Sequence, residues 1–250
     1  MHERNISTSV LCVVWAGLGL LAGCQSPRSL PPGRTIRAQL TVPGSVQDST
    51  STEVYLSVPP SAGKQRSFPL VVVLHGYGDH AAAFHELWKP AADSLGVVLL
   101  APLGDKTLLE GLSYAWADHA EPIILAGVDM TRRLVSINPH RIYLAGFSQG
   151  GNLAYRIGLA HPELFRGIAP LGARFRSSFL PDSCRTRFAM RIYIGHGDRD
   201  QGINASREAA ALLQSQGHTV RLEIYRRTGH DIPEPREREF IQIIRFLMDQ

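Results

Sequence analysis

The chain predicts an α/β domain built on an open, mostly parallel sheet, and three observations carry that expectation. Apolar runs without alternation, such as "LVVVL" and "VVLLAP", suit strands buried on both faces. Stretches of helical length separate them, giving a strand–helix alternation along most of the chain. The 250 residues are 44% hydrophobic, enough for one large core, and no repeat period or linker divides them.

The N-terminus stands outside this pattern. "VLCVVWAGLGLLAGC" is short for a membrane span and reads as the apolar region of a signal peptide, behind a weakly basic "MHERN", with an ordinary secretory signal or an uncleaved anchor as the alternatives. Its ending, "LAGC", resembles the lipobox of bacterial lipoproteins. That resemblance implies cleavage before Cys24 and lipidation of Cys24, hence export and a lipid anchor in the inner or outer bacterial membrane. The expected organisation is a signal peptide over 1–23, a Pro- and Ser-bearing tether over 24–34 ("QSPRSLPPGR") and one domain over 35–250. Of three cysteines, Cys12 and Cys24 fall in these leading segments, so Cys184 is alone in the domain and no internal disulfide is expected. The formal charge is +4, and all but three of the 26 basic residues are arginine. The densest runs, "CRTRFAMR" and "YRRTGH", read as solvated surface; no motif points to nucleic acid.

Along the domain, "TIRAQLTV" and "EVYLSVP" alternate as antiparallel edge strands do. The buried strand "PLVVVL" leads into "HGYGD" and a helix, "HAAAFHELWKPAADSLG". The strand "VVLLAP", a loop containing "YAWADH" and the helix "EPIILAGVDMTRRLVSI" follow. The pattern then repeats: strand "RIYLAGF", helix "GNLAYRIGLA", strand "GIAPLG", a polar loop, strand "RIYIGHG", helix "ASREAAALLQSQG", strand "RLEIYRR" and helix "PREREFIQIIRFLMDQ".

Open α/β sheets present their ligand sites at the carboxyl ends of the strands. Gly146-Phe147-Ser148-Gln149-Gly150 fits G-x-S-x-G where a buried strand turns into a helix. Such a turn strains the serine backbone, crowds out side chains at the flanking glycines and aims the positive helix end at the site. A serine hydroxyl needs a base, and the base needs an acid; the expected chain order here is serine, acid, histidine. His230, in "RRTGHD" after the last strand, is the base. Asp198 and Asp200 both end "RIYIGHGDRD", and spacing does not choose between them. The other histidines suit this role less: His218 in a helix-to-strand turn expected to be exposed, His161 at the far end of the helix after the serine, His196 as a structural residue, His80 and His85 without metal-ligand spacing. Gln149 and Tyr77 are the expected backbone N–H donors to an oxyanion, one after the nucleophile and one in the turn His75-Gly76-Tyr77.

"LHGYGD", "GFSQGG", "HGDRD" and "TGHD", in this order, resemble the α/β-hydrolases of the carboxylesterase, phospholipase and acyl-protein thioesterase family. They are also similar to esterases of the polyhydroxybutyrate-depolymerase and feruloyl-esterase type. The resemblance covers roughly residues 65 to 250 and implies Ser148 as nucleophile, His230 as base and Asp200, at the second aspartate of "HGxxD", as acid. Tyr77 and Gln149 match the oxyanion positions. After Asp200 the chain continues "QGIN" where the family often has proline or a hydrophobic pair. The function expected is membrane-tethered hydrolysis of short-acyl or polymer-derived carboxylic esters, with no metal or organic cofactor. A thioesterase or lysophospholipase, or a binding lipoprotein that keeps the fold, are the alternatives. The segment from Gly172 to Phe188 is the one candidate for a cap, a minimal one, with Phe175, Phe179, Trp116 and Tyr77 as candidate pocket walls.

Overall fold

The computed structural model describes residues 12–13, 30–43, 49–60, 67–180 and 188–249. Cys24, Cys184 and the expected signal peptide, apart from Cys12–Val13, lie outside them. A nine-stranded sheet runs in the order β1 (Cys12–Val13), β2 (Thr35–Pro43), β3 (Ser49–Ser57), β5 (Val98–Pro102), β4 (Phe68–Leu74), β8 (Ile137–Phe147), β9 (Gly167–Leu171), β10 (Arg191–Gly197) and β11 (Thr219–Tyr225). From β5 to β11 every pairing is parallel, whereas β1, β2 and β3 are antiparallel. This is the α/β-hydrolase fold class that the motifs imply.

Among the described residues, five helices cover the two faces: α1 (Ala81–Ser94), α2 (Ala120–Leu134), α3 (Gln149–Ala160), α4 (Ile203–Ser215) and α5 (Arg236–Met248). Helices α1 and α5 pack on one face, and α2, α3 and α4 on the other. The run "LVVVL" has no alternation because both of its faces are buried. Val71 and Val73 join the α1/α5 core, while Leu70, Val72 and Leu74 join the core under α2, α3 and α4. Each such side chain contributes about 1.5–3 kcal/mol when removed from water. In the α1/α5 layer the Trp88 and Phe240 rings stack with centroids 4.1 Å apart.

The described part of the expected tether is fastened to the domain. Leu30 N–H donates to the Leu134 carbonyl at 2.8 Å, and Gly33 N–H to Val58 at 3.0 Å. The helix expected over 121–137 stops at Leu134, because Val135 is extended and Ile137 already begins β8. The expected loop around "YAWADH" is partly a hairpin, β6 (Lys106–Leu108) with β7 (Ser113–Ala115). Its strands are too short to announce themselves by alternation. No helix among the described residues is long and apolar enough to cross a membrane.

Candidate active site

Ser148 lies between the last residue of β8 and the first of α3, with φ 54° and ψ −113°. This is a left-handed backbone on a non-glycine residue, which costs on the order of 1–3 kcal/mol and needs surrounding structure to enforce it. The enforcement is visible: Ser148 N–H donates to the Leu171 carbonyl on β9 at 2.8 Å. A Cβ on Gly146 would sit 2.3 Å from the Gly150 carbonyl oxygen, and one on Gly150 would sit 2.2 Å from that of Leu74. Those two contacts are the physical reason for both glycines of the motif. With them, β8, the elbow and α3 close against the end of β4.

The hydroxyl that the elbow projects meets a histidine. His230 Nε2 is 2.9 Å from Ser148 Oγ, and its Nδ1 is 2.5 Å from Asp200 Oδ2. An ionised carboxylate only accepts hydrogen bonds, so Nδ1 carries the ring proton and Nε2 is left to accept from the serine. Burial alone would raise the Asp200 carboxyl. The bonds from His230 and from Gly202 N–H (3.1 Å), together with nearby His196 and His230, outweigh it and hold the group below the ordinary carboxylate value. Of the two aspartates that spacing leaves open, Asp200 is the one bonded to the imidazole. Asp198 instead accepts Thr228 N–H at 3.2 Å and braces the loop that carries His230.

On the other side of Ser148, the turn after β4 lies against the elbow. A Cβ on Gly76 would be 3.4 Å from the Phe147 ring and 3.6 Å from Ser148 Cβ. Gln149 opens α3, and the first N–H groups of a helix have no acceptor within it. The Gln149 side chain has a role that motif reading misses: its amide exchanges two hydrogen bonds with the Trp116 backbone, at 3.1 and 2.9 Å. His75 is fully buried. Its Nδ1 lies 2.8 Å from the Gly76 carbonyl, its Nε2 accepts Gly104 N–H at 3.0 Å, and its ring stacks on Trp116. Burial pushes its pKa below the ordinary histidine value.

Some expectations need correction. Trp116 is not an open pocket wall but is 5% exposed, with its indole N–H bonded to the His75 carbonyl. Phe175 packs its ring edge-on against Tyr155 and Phe179. Tyr77, by contrast, projects into solvent. His218 is buried, not exposed, because its Nδ1 accepts Met190 N–H at the start of β10. The described part of the expected cap, up to Leu180, contains one 3-10 turn, Ser177–Phe179; residues 181–187 lie outside the described residues. Among the described residues, no group of three or more His, Cys, Asp or Glu side chains is arranged to hold a metal ion.

Known proteins are similar to this chain in sequence and in fold. The chain is 32% identical over 146 residues to the putative esterase NocK of Nocardia uniformis subsp. tsuyamanensis, covering 53% of this chain and 40% of that protein. It is 34% identical over 119 residues to a poly(3-hydroxybutyrate) depolymerase of Ralstonia pickettii, covering 40% of this chain and 24% of the other. It thus spans less than half the length of either relative. The crystal structure of esterase PE8 superposes with a TM-score of 0.58 at 23% identity, over 77% of this chain and 99% of that one, which speaks to the fold alone. The model of the phospholipase/carboxylesterase family matches residues 119–248, from the start of α2 through the end of α5. That span is more than half of the chain and includes the elbow, both aspartates and His230, so this protein belongs to the phospholipase/carboxylesterase family of α/β-hydrolases.

Proposed function

We propose that this protein is a serine hydrolase of carboxylic esters working through an acyl-enzyme. The observation that carries the reading is the unbroken run from Ser148 Oγ through His230 to Asp200, at 2.9 and 2.5 Å. Ser148 Oγ attacks the acyl carbon while His230 Nε2 takes the hydroxyl proton. The oxyanion is met by the Gln149 and Tyr77 N–H groups and the positive end of α3. When the bond to the alcohol oxygen breaks, His230 Nε2 hands its proton to that oxygen. Water then attacks the acyl carbon; Nε2 takes the water's proton and returns it to Ser148 as the acid leaves. Asp200 holds the imidazole in the required tautomer throughout. No metal or organic cofactor enters this sequence.

Short-acyl or polymer-derived esters are the proposed substrates. The shortness of the candidate cap segment, residues 172–188, supports this, as does the likeness to a protein named for depolymerising a polyester. The test is turnover of p-nitrophenyl acetate, butyrate, longer esters and matched thioesters by the purified protein and by Ser148→Ala. Rates that fall with acyl length and vanish in the variant are expected. Equal rates in both proteins would sink the reading, and a preference for long acyl chains or thioesters would replace its substrate class. The "LAGC" stretch supports attachment of the domain to a membrane through lipid on Cys24. Incorporation of labelled palmitate, lost in Cys24→Ala, is the expected sign, and no incorporation in either protein would remove the anchor.

A further inference from the structure

A cavity of about 380 Å³ opens beside His230. Its wall is polar and basic: Arg174, Arg199 and His196 line it together with Asp200, Gly202 and His230. Among the described residues no carboxylate lies within 4 Å of the guanidinium of Arg174 or Arg199, whereas thirteen other basic–acidic contacts form there, those of Asp200 with His196 and His230 among them. Both arginines are held by their backbones. Arg174 N–H donates to the Asn152 side chain on α3 at 2.8 Å, and Arg199 N–H to the Thr228 carbonyl at 2.9 Å. The Arg174 side chain runs toward the start of α4, its Cγ lying 3.8 Å from where a Cβ on Gly202 would be. The first turn of α4 therefore adds a positive helix end to the same wall.

The floor of the cavity is a buried, braced histidine. His196 is 1% exposed, and its Nδ1 is 2.8 Å from the Ser206 hydroxyl. Its Nε2 has no hydrogen-bond partner, although Asp200 Oδ2 lies 3.2 Å away out of line. That nitrogen is itself buried and faces Asp200, so it belongs to the floor, and the anion-binding groups of the wall are the two arginines. Two guanidinium groups against the one carboxylate of Asp200 leave a formal excess of one positive charge, which suits a monoanion better than a dianion. Planar guanidinium groups match a carboxylate in shape as well as in charge.

We propose that this cavity binds a carboxylate carried by the alcohol part of the ester, so that the preferred substrates are esters of hydroxy acids with a free carboxyl end. The alcohol side follows from the hydrolase reading, on which this proposal rests. His230 Nε2 must protonate the leaving oxygen, so the alcohol departs past the imidazole, and the cavity begins there. The oxyanion donors lie across Ser148, on the side of β4 and α3.

The experiment compares 4-acetoxybenzoate with its neutral methyl ester, in the full-length protein and in Arg174→Gln/Arg199→Gln. Taking the ratio of kcat/KM for the acid to that for the ester, and comparing it between proteins, cancels the intrinsic reactivity of the two compounds. The ratio is expected to fall at least about tenfold in the double variant, and to fall with added salt in the unsubstituted protein, since solvent-exposed charges are screened. An unchanged ratio overturns the proposal. So does an arginine-dependent preference found only for monomethyl over dimethyl succinate, which would put the carboxylate on the acyl side. Failure of the hydrolase reading shows separately, as equal turnover in Ser148→Ala. Calorimetric binding of 4-hydroxybenzoate to Ser148→Ala, with and without the two arginine substitutions, then decides the anion site alone: binding lost with the arginines supports it, and binding indifferent to them overturns it.

Discussion

His75 and His230 both follow strands of the same sheet at its carboxyl end and flank the same serine, yet they are built for opposite behaviour. His75 is fully buried, both ring nitrogens are occupied by backbone groups, and Trp116 covers its face. His230 has a side chain that is 50% exposed, one nitrogen on a carboxylate and the other on a hydroxyl. A histidine whose two nitrogens bond to fixed backbone groups has no route for a proton and acts as a brace. A histidine whose partners are an acid and a reactive hydroxyl can take a proton and give it back. The two flanks of the serine share this division. The side of β4 and α3 is stitched by the Gln149 amide and the Trp116 indole, whereas the side of β10 and β11 opens into the cavity.

The comparison can be broken in three ways, the first having the largest effect. His230→Asn is expected to lower kcat for p-nitrophenyl acetate by about 10⁴-fold or more while the melting temperature stays within a few degrees. A loss of tenfold or less would remove His230 from the chemistry. His75→Leu should do the reverse. It strands the buried Gly104 N–H, at a cost of about 2 kcal/mol, which lowers the melting temperature by roughly 4–8 °C in a domain of this size. An unchanged melting temperature with lost turnover would make His75 part of the chemistry instead.

The smallest effect is on pH. Burial pushes His75, His85, His196 and His218 below the ordinary histidine value of 6.5. Between 6.5 and their depressed folded values, the unfolded chain binds more protons than the folded one. Stability is therefore fully present above pH 6.5 and declines as pH falls below it. Asp200 is also held below its ordinary value of 3.8, so its contribution persists through that window and is lost only in stronger acid. Thermal unfolding at pH 7.5, 6.5, 5.5 and 5.0 should show a melting temperature that is flat above 6.5 and falling below it. A flat profile down to pH 5 would mean that burial does not hold these histidines neutral.

Much of the sheet is legible in the sequence because a strand covered on both faces must be apolar at every position, and "LVVVL" and "VVLLAP" can be little else. The elbow is legible for a related reason. Gly146 and Gly150 approach backbone oxygens so closely that no side chain fits, and a requirement of that kind leaves its mark in residue type. The short hairpin β6–β7 escaped because three-residue strands are too brief for a pattern. His218 misled because its position in a turn predicts exposure, while the N–H that its ring accepts belongs to Met190, 28 residues away.

The chain itself thus determined the alternation of strands and helices and the place of Ser148 at a strained turn, which follow from periodic burial and local sterics, while the order of acid and histidine after the serine came from its motifs. Spacing left Asp198 and Asp200 open and resemblance pointed to Asp200, which the tertiary structure bonds to the imidazole; tertiary structure alone decided that the Gln149 side chain clasps the Trp116 backbone, and that two arginines from separate loops, neither paired with a carboxylate among the described residues, line one cavity. Each of these depends on where loops from distant strands end in space. Hydrogen bonds and charges choose partners by ångströms, and residue spacing does not record distances between segments that are far apart along the chain.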